Sequence, residues 1–127
     1  MKALCALAIV FAASRSFAET KPAESIPIHA WWSIPAAFST PERYRELAEA
    51  GFSTSMSPFA NLAETQKALD AAKDSGVKLF VHCPELKSAT AETVQKIMKH
   101  PALAGYHLVD EPSAAAFAEL AAWQKKI

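Results

Sequence analysis

The chain has 127 residues, half of them apolar, with 13 basic and 13 acidic side chains and a formal net charge of zero. No basic patch or charge run survives in this balance that would engage nucleic acid or an anionic membrane surface. Two cysteines, Cys5 and Cys83, are too few for a disulfide-stapled mini-domain.

Residues 1–18 have the layout of a secretory signal peptide: Lys2 supplies a positive charge, Ala3 to Ala13 is an 11-residue apolar run, and Ser16 and Ala18 are small residues at a cleavage site. Cleavage is expected between Ala18 and Glu19. The apolar run is too short for a permanent anchor. Cys5 stands too early for a lipoprotein cysteine. Cleavage removes Lys2, Arg15 and Cys5, leaving a net charge of about −2. With Cys83 alone, no intramolecular disulfide can form. The expected product is secreted or periplasmic, with no membrane anchor and no nucleic-acid partner. Residues 19–26 read as a short polar extension and 27–127 as one α/β domain.

That domain repeats one unit. A strand-like run ends at a proline (Pro35, Pro58, Pro84, Pro112), a helix-cap signal and an amphipathic helix follow, and Gly51, Gly76 or Gly105 opens the next strand. The spacing of roughly 25 residues is what one βα unit requires, and strands alternating with helices imply a parallel sheet. Thr40-Pro41 starts the first helix, with Tyr44, Leu47 and Ala48 as its stripe. Asn61 and Glu64 form a capping-box-like start for the second. Val94, Ile97 and Met98 mark the third. Ser113 is expected to cap the fourth, with Phe117, Leu120 and Ala121 on one face.

Strand alternation divides two faces. Phe52, Thr54 and Met56 alternate with Ser53, Ser55 and Ser57; Tyr106 and Leu108 alternate with His107, Val109 and Glu111. The apolar sets are expected against the helices and the polar sets on the other face. A polar second face suits a barrel lumen better than an open doubly wound sheet, although four units alone do not separate the two. The expected fold is therefore the N-terminal half, (βα)4, of a (β/α)8 TIM barrel. A complete barrel takes about 250 residues, so the chain reads as an N-terminal fragment, or else as a half barrel that pairs with a second copy.

In parallel barrels the chemistry gathers where strands end. Those ends read Trp31-Trp32-Ser33, Ser57-Pro58-Phe59, His82-Cys83-Pro84-Glu85 and Asp110-Glu111-Pro112. Aromatics suit the apolar faces of sugar rings, and carboxylates and imidazoles suit their hydroxyls. The run Gly105 to Pro112 resembles the fourth strand of the clan A glycoside hydrolases, which include the family 42 β-galactosidases. Trp31-Trp32-Ser33-Ile34-Pro35, Met56-Ser57-Pro58 and Asp110-Glu111-Pro112-Ser113 extend the likeness to secreted bacterial barrels of glycoside-hydrolase type, over His29 to Trp123. The resemblance implies that Glu111 is the general acid/base of glycoside hydrolysis, a reaction that needs no cofactor. It also implies a carbohydrate substrate, with Asp110, Trp31, His82 and Phe59 contacting it. Asp110 replaces the Asn usual before the acid/base, and the family's nucleophile belongs to a seventh strand.

Blander readings stand beside these. Asp110-Glu111-Pro112-Ser113 also suits a plain strand-to-helix turn, with acids beside a helix N-terminus. Glu85 reads as a solvated loop residue rather than a partner for Glu111, and Trp31 as either core or sugar platform. Trp31 and Trp32 differ in parity, so at most one should face the lumen easily. Cys83 reads as a small buried residue rather than a nucleophile. His29, His82 and His107 share a face but are staggered along the barrel axis, so interior hydrogen bonding or substrate contact is preferred to a metal site. His100 reads as a helix-end residue. The rival functions are a non-catalytic carbohydrate-binding barrel and, behind it, a metal-dependent hydrolase.

Overall fold

A computed structural model describes residues 26–127; the segment expected to be a signal peptide and most of the expected polar extension lie outside them. The chain is α/β. Its strands β1 (His29–Trp31), β2 (Thr54–Pro58), β3 (Lys78–His82) and β4 (Leu103–Tyr106) form one sheet in the order β1-β2-β3-β4, every pair parallel. Helices α1 (Pro41–Glu49), α2 (Leu62–Ala72), α3 (Glu85–Ser88), α4 (Thr90–Ile97) and α5 (Phe117–Gln124) fill the connections, with single 3-10 turns at Ala36–Phe38 and Ala114–Ala116. Among these helices none is long and apolar enough to cross a membrane.

Local signals start the first two helices. Thr40 Oγ1 accepts from Arg43 N–H at 3.4 Å, with Pro41 at the first helical position. Asn61 Oδ1 accepts from Glu64 N–H at 2.9 Å, and Glu64 Oε2 accepts in return from Ala60 N–H at 3.0 Å. Gly51 (φ 93°) and Gly76 (φ 88°) adopt the left-handed backbone that turns the chain out of α1 and α2. They therefore end the helices, and the strands open two or three residues later.

Parallel pairing puts partners on the same face, so the register sorts the side chains. Ser55 pairs with Leu79, and Ser57 with Val81. Leu79 and Val81 belong to the main core together with Tyr44 of α1, Ala68, Leu69 and Ala72 of α2, Leu86 of α3, and Val94 and Ile97 of α4. The helices thus cover one face of the sheet. A monotone strand order with right-handed crossovers requires this, because each connection returns over the same side. The opposite face carries His29 and Thr54, then Trp31, Met56, Phe80 and Gly105, then Pro58 and His82. None of these belongs to the helix-side core.

Several sequence expectations shift accordingly. Ser55 and Ser57 are buried beneath the helices, whereas Thr54 and Met56 occupy the bare face, the reverse of their expected sides. Ser55 is accommodated by a 2.5 Å hydrogen bond with Ser33 Oγ. β4 begins at Leu103 and ends at Tyr106, so Gly105 lies inside it. A Cβ there would come within 3.0 Å of the Phe80 ring, which packs directly over the glycine. The third helix is broken at Ala89 into α3 and α4. Met98 and Phe117, expected on packed stripes, are exposed, and Ser113 makes no side-chain cap. α5 is instead anchored by Trp123, which packs on the core and donates its Nε1–H to Leu86 O at 2.8 Å.

Candidate functional site

The C-terminal ends of the strands surround a cleft of about 260 Å³ lined by Trp32, Met56, Pro58, His82, His107, Leu108, Val109 and Asp110. Below it on the bare face is a shallower, mostly apolar hollow of about 450 Å³ lined by Pro27, His29, Trp31, Thr54, Met56, Phe80 and His107. Met56 and His107 border both. Rings link the two levels edge to face. The Trp31 and His107 centroids are 5.2 Å apart, His82 and His107 5.7 Å, and His29 and Phe80 5.5 Å.

The imidazoles are oriented by specific partners. His107 extends the β4 ladder by donating its backbone N–H to Val81 O at 2.9 Å. Its carbonyl lies 2.9 Å from His82 Nδ1. A carbonyl oxygen only accepts, so Nδ1 of His82 carries a proton and Nε2 is left as an acceptor in the neutral ring. His29 Nδ1 is 2.9 Å from Thr54 Oγ1. Burial holds the His107 imidazole below its ordinary range; nearby His82 and His29 add to this, and Asp110 partly offsets it. His107 is therefore uncharged at neutral pH.

Of the residues singled out from the sequence, His82 and Asp110 line the rim cleft and Trp31 stands on the bare face beneath it. Glu111 follows Asp110 but is exposed and outside the cleft lining, with its backbone in the left-handed region at φ 44°. Phe59 is placed elsewhere. Its N–H donates to His82 O at 2.9 Å, continuing the strand pattern by one residue, and that parity buries its ring in the helix-side core. It is a packing residue and lines no sugar subsite of the kind expected for it.

Glu85 also turns to the helix side. Its Oε2 is buried without a hydrogen bond, and the backbone N–H groups of Leu62, at the start of α2, and of Glu85 itself hold the carboxyl below the usual carboxylate range. This carboxylate complements a helix N-terminus and does not join Glu111 at the rim. Cys83 is buried and its thiol is pushed up by that burial, as suits an inert core residue. His100 follows α4, accepts from Ala102 N–H at its Nδ1 (3.2 Å), and approaches Asp70 Oδ1 with Nε2 at 3.3 Å. Among the described residues no three His, Cys, Asp or Glu side chains are grouped to hold a metal ion.

Trp32, whose difference in parity from Trp31 predicts that at most one of the two faces the lumen, also lines the rim cleft. It enters the cleft because the chain leaves strand geometry after Trp31 and takes φ 51° at Trp32, a left-handed value rare for a bulky side chain. Strand alternation has no means of predicting that turn. No family model, curated protein or solved structure matches the chain.

Proposed function

We propose that this chain is the N-terminal half of an exported (β/α)8 barrel of glycoside-hydrolase type, acting on glycosidic bonds. The observation that carries the reading is the one-sided helix layer. It leaves a bare sheet face whose strand ends converge on an aromatic and imidazole-lined cleft, the location barrel enzymes use for their sites. A doubly wound sheet would need helices over that face.

In this reading a sugar ring lies in the rim cleft, with Trp31 and Trp32 supplying aromatic surface and His82 and Asp110 meeting its hydroxyls. Glu111 protonates the leaving glycosidic oxygen and later activates water, while a carboxylate from the second half acts as nucleophile. Carboxylates and water suffice for the reaction, so no cofactor is required. A general acid at neutral pH needs an enclosed carboxyl, and the walls around the exposed Glu111 come from the second half.

A second reading, a non-catalytic carbohydrate-binding barrel, is favoured by one observation: among the described residues Asp110 is the only acidic one lining the rim cleft, and Glu111 is outside it. Chromogenic glycosides separate the two. With the complete gene product, Glu111→Gln is expected to lower kcat by about 10²–10⁴-fold with sugar affinity retained. Undiminished turnover removes Glu111 from the acid/base role. Sugar binding by the wild type with no turnover of any glycoside establishes the binding module instead.

A further inference from the structure

The bare face of the sheet is concave. Trp31 of β1 and His107, which extends β4, meet edge to face with centroids 5.2 Å apart. His29 of β1 and Phe80 of β3 do the same at 5.5 Å. In a flat sheet the first and fourth strands would stand roughly 14 Å apart, with side chains about perpendicular to the sheet. Rings from β1 and β4 could not then touch. The strands therefore curl around the bare face, as they do in a barrel wall.

Two edges are left over. β1 and β4 each pair on one side only, in an order that runs β1-β2-β3-β4 with every pair parallel. The His107 N–H points to Val81 O, so alternation turns the N–H of Tyr106 to the open side of β4. A foreign strand would satisfy one such edge. A second copy satisfies both at once. A two-fold axis along the barrel axis preserves strand direction, and so sets β4 of each copy beside β1 of the other. Four strands from each copy make the eight at which side chains just fill a barrel.

The side chains suit a meeting of like with like. The middle of the concave face holds Trp31, Met56, Phe80 and Gly105, none of them charged. Lys78 is the one formal charge among the paired positions of that face. It is exposed at the end of β3 far from the rim cleft, where water and salt screen it from its copy. A second copy would cover Trp31, now 49 % exposed, and the mostly apolar hollow beside it.

We infer that two copies of this four-strand unit, when no second half is joined to them, close on each other as a two-fold symmetric eight-stranded barrel. The axis also places a second His82, His107 and Asp110 across the rim, giving the cleft the far wall that one copy lacks. This rests on the barrel reading above and is independent of the sugar chemistry.

The test takes residues 19–127 through sedimentation equilibrium and amide hydrogen exchange at concentrations from about 1 to 100 µM. A folded dimer is expected, with exchange at the Tyr106 amide at least about tenfold slower at the concentrated end. Trp31→Lys sets two like charges in the lumen and should weaken the dimer at least about tenfold. Met98→Lys changes an exposed residue at the end of α4 and should leave the dimer intact. A monomer at every concentration, an unfolded chain, a dimer that Trp31→Lys does not weaken, or Tyr106 exchange that ignores concentration overturns self-pairing. The complete gene product separates this from failure of the barrel reading. There a following strand covers Tyr106 at any concentration, and exchange as fast as in a loop would sink the barrel itself.

Discussion

The two faces of the sheet use the same strands for opposite purposes. Toward the helices, Leu79 and Val81 are sealed at 2 % and 0 % exposure and even Ser55 is fully enclosed. On the other face Trp31 is 49 % exposed and meets His107 edge to face, His29 meets Phe80 and His82 meets His107, and none of these side chains belongs to the core that the described helices cover. Alternation along each strand makes this division, since neighbouring residues point to opposite sides. Stability and chemistry are thereby separated by one residue step. Substitutions on one face should be felt mainly as loss of fold, and on the other mainly as loss of binding.

Leu79 and Phe80 give the sharpest way to break that contrast. Leu79→Ala removes a sealed core side chain and should cost about 2–5 kcal/mol in urea unfolding. Phe80→Ala removes a larger side chain from the bare face and should cost less, because its ring is only partly buried. Equal losses would mean that the bare face is as much a core as the covered one.

A smaller effect is expected at the start of α2, the helix that contributes most to the covered face. Asn61→Ala deletes the acceptor for Glu64 N–H and should destabilise by about 0.5–2 kcal/mol, read as a lower urea midpoint at unchanged slope. Sugar binding should be untouched.

The least effect concerns acid stability from the bare face. The folded pKa of His107 is below its ordinary value, so the unfolded chain binds this proton more readily. Its contribution is fully present above about pH 6.5 and is lost as the pH falls from there through the lower folded value. His107→Gln should flatten the stability profile in that window. A profile as steep as wild type would show that the acid sensitivity arises elsewhere.

Much of the layout was legible because it is written in local signals. Thr40-Pro41 and the Asn61–Glu64 pair start helices where they should, and the recurring prolines and glycines mark four strand–helix units in a parallel sheet. Face assignment was harder. Apolar character placed Met56 inward and Ser57 outward, but the register with Leu79 and Val81 decides, and small serines fit closely beneath helices. Phe59 was legible in principle, since it shares parity with Ser57 and hence the covered side. Trp32 was not, because a left-handed residue abandons alternation. Glu111 was found by likeness to a motif, and its exposure depends on how the chain leaves β4, which no pattern of residue types encodes.

The hydrogen bond from His82 to the His107 carbonyl has a mechanical side. His107 is fastened twice, by its amide to β3 and by its carbonyl to a β3 side chain, and so the path toward Asp110 starts from a fixed point. Nδ1 commits its hydrogen to this bond, which leaves Nε2 free of that duty. A side chain that doubles as a clamp on the exit from β4 can thus border the cleft without loosening the backbone it holds.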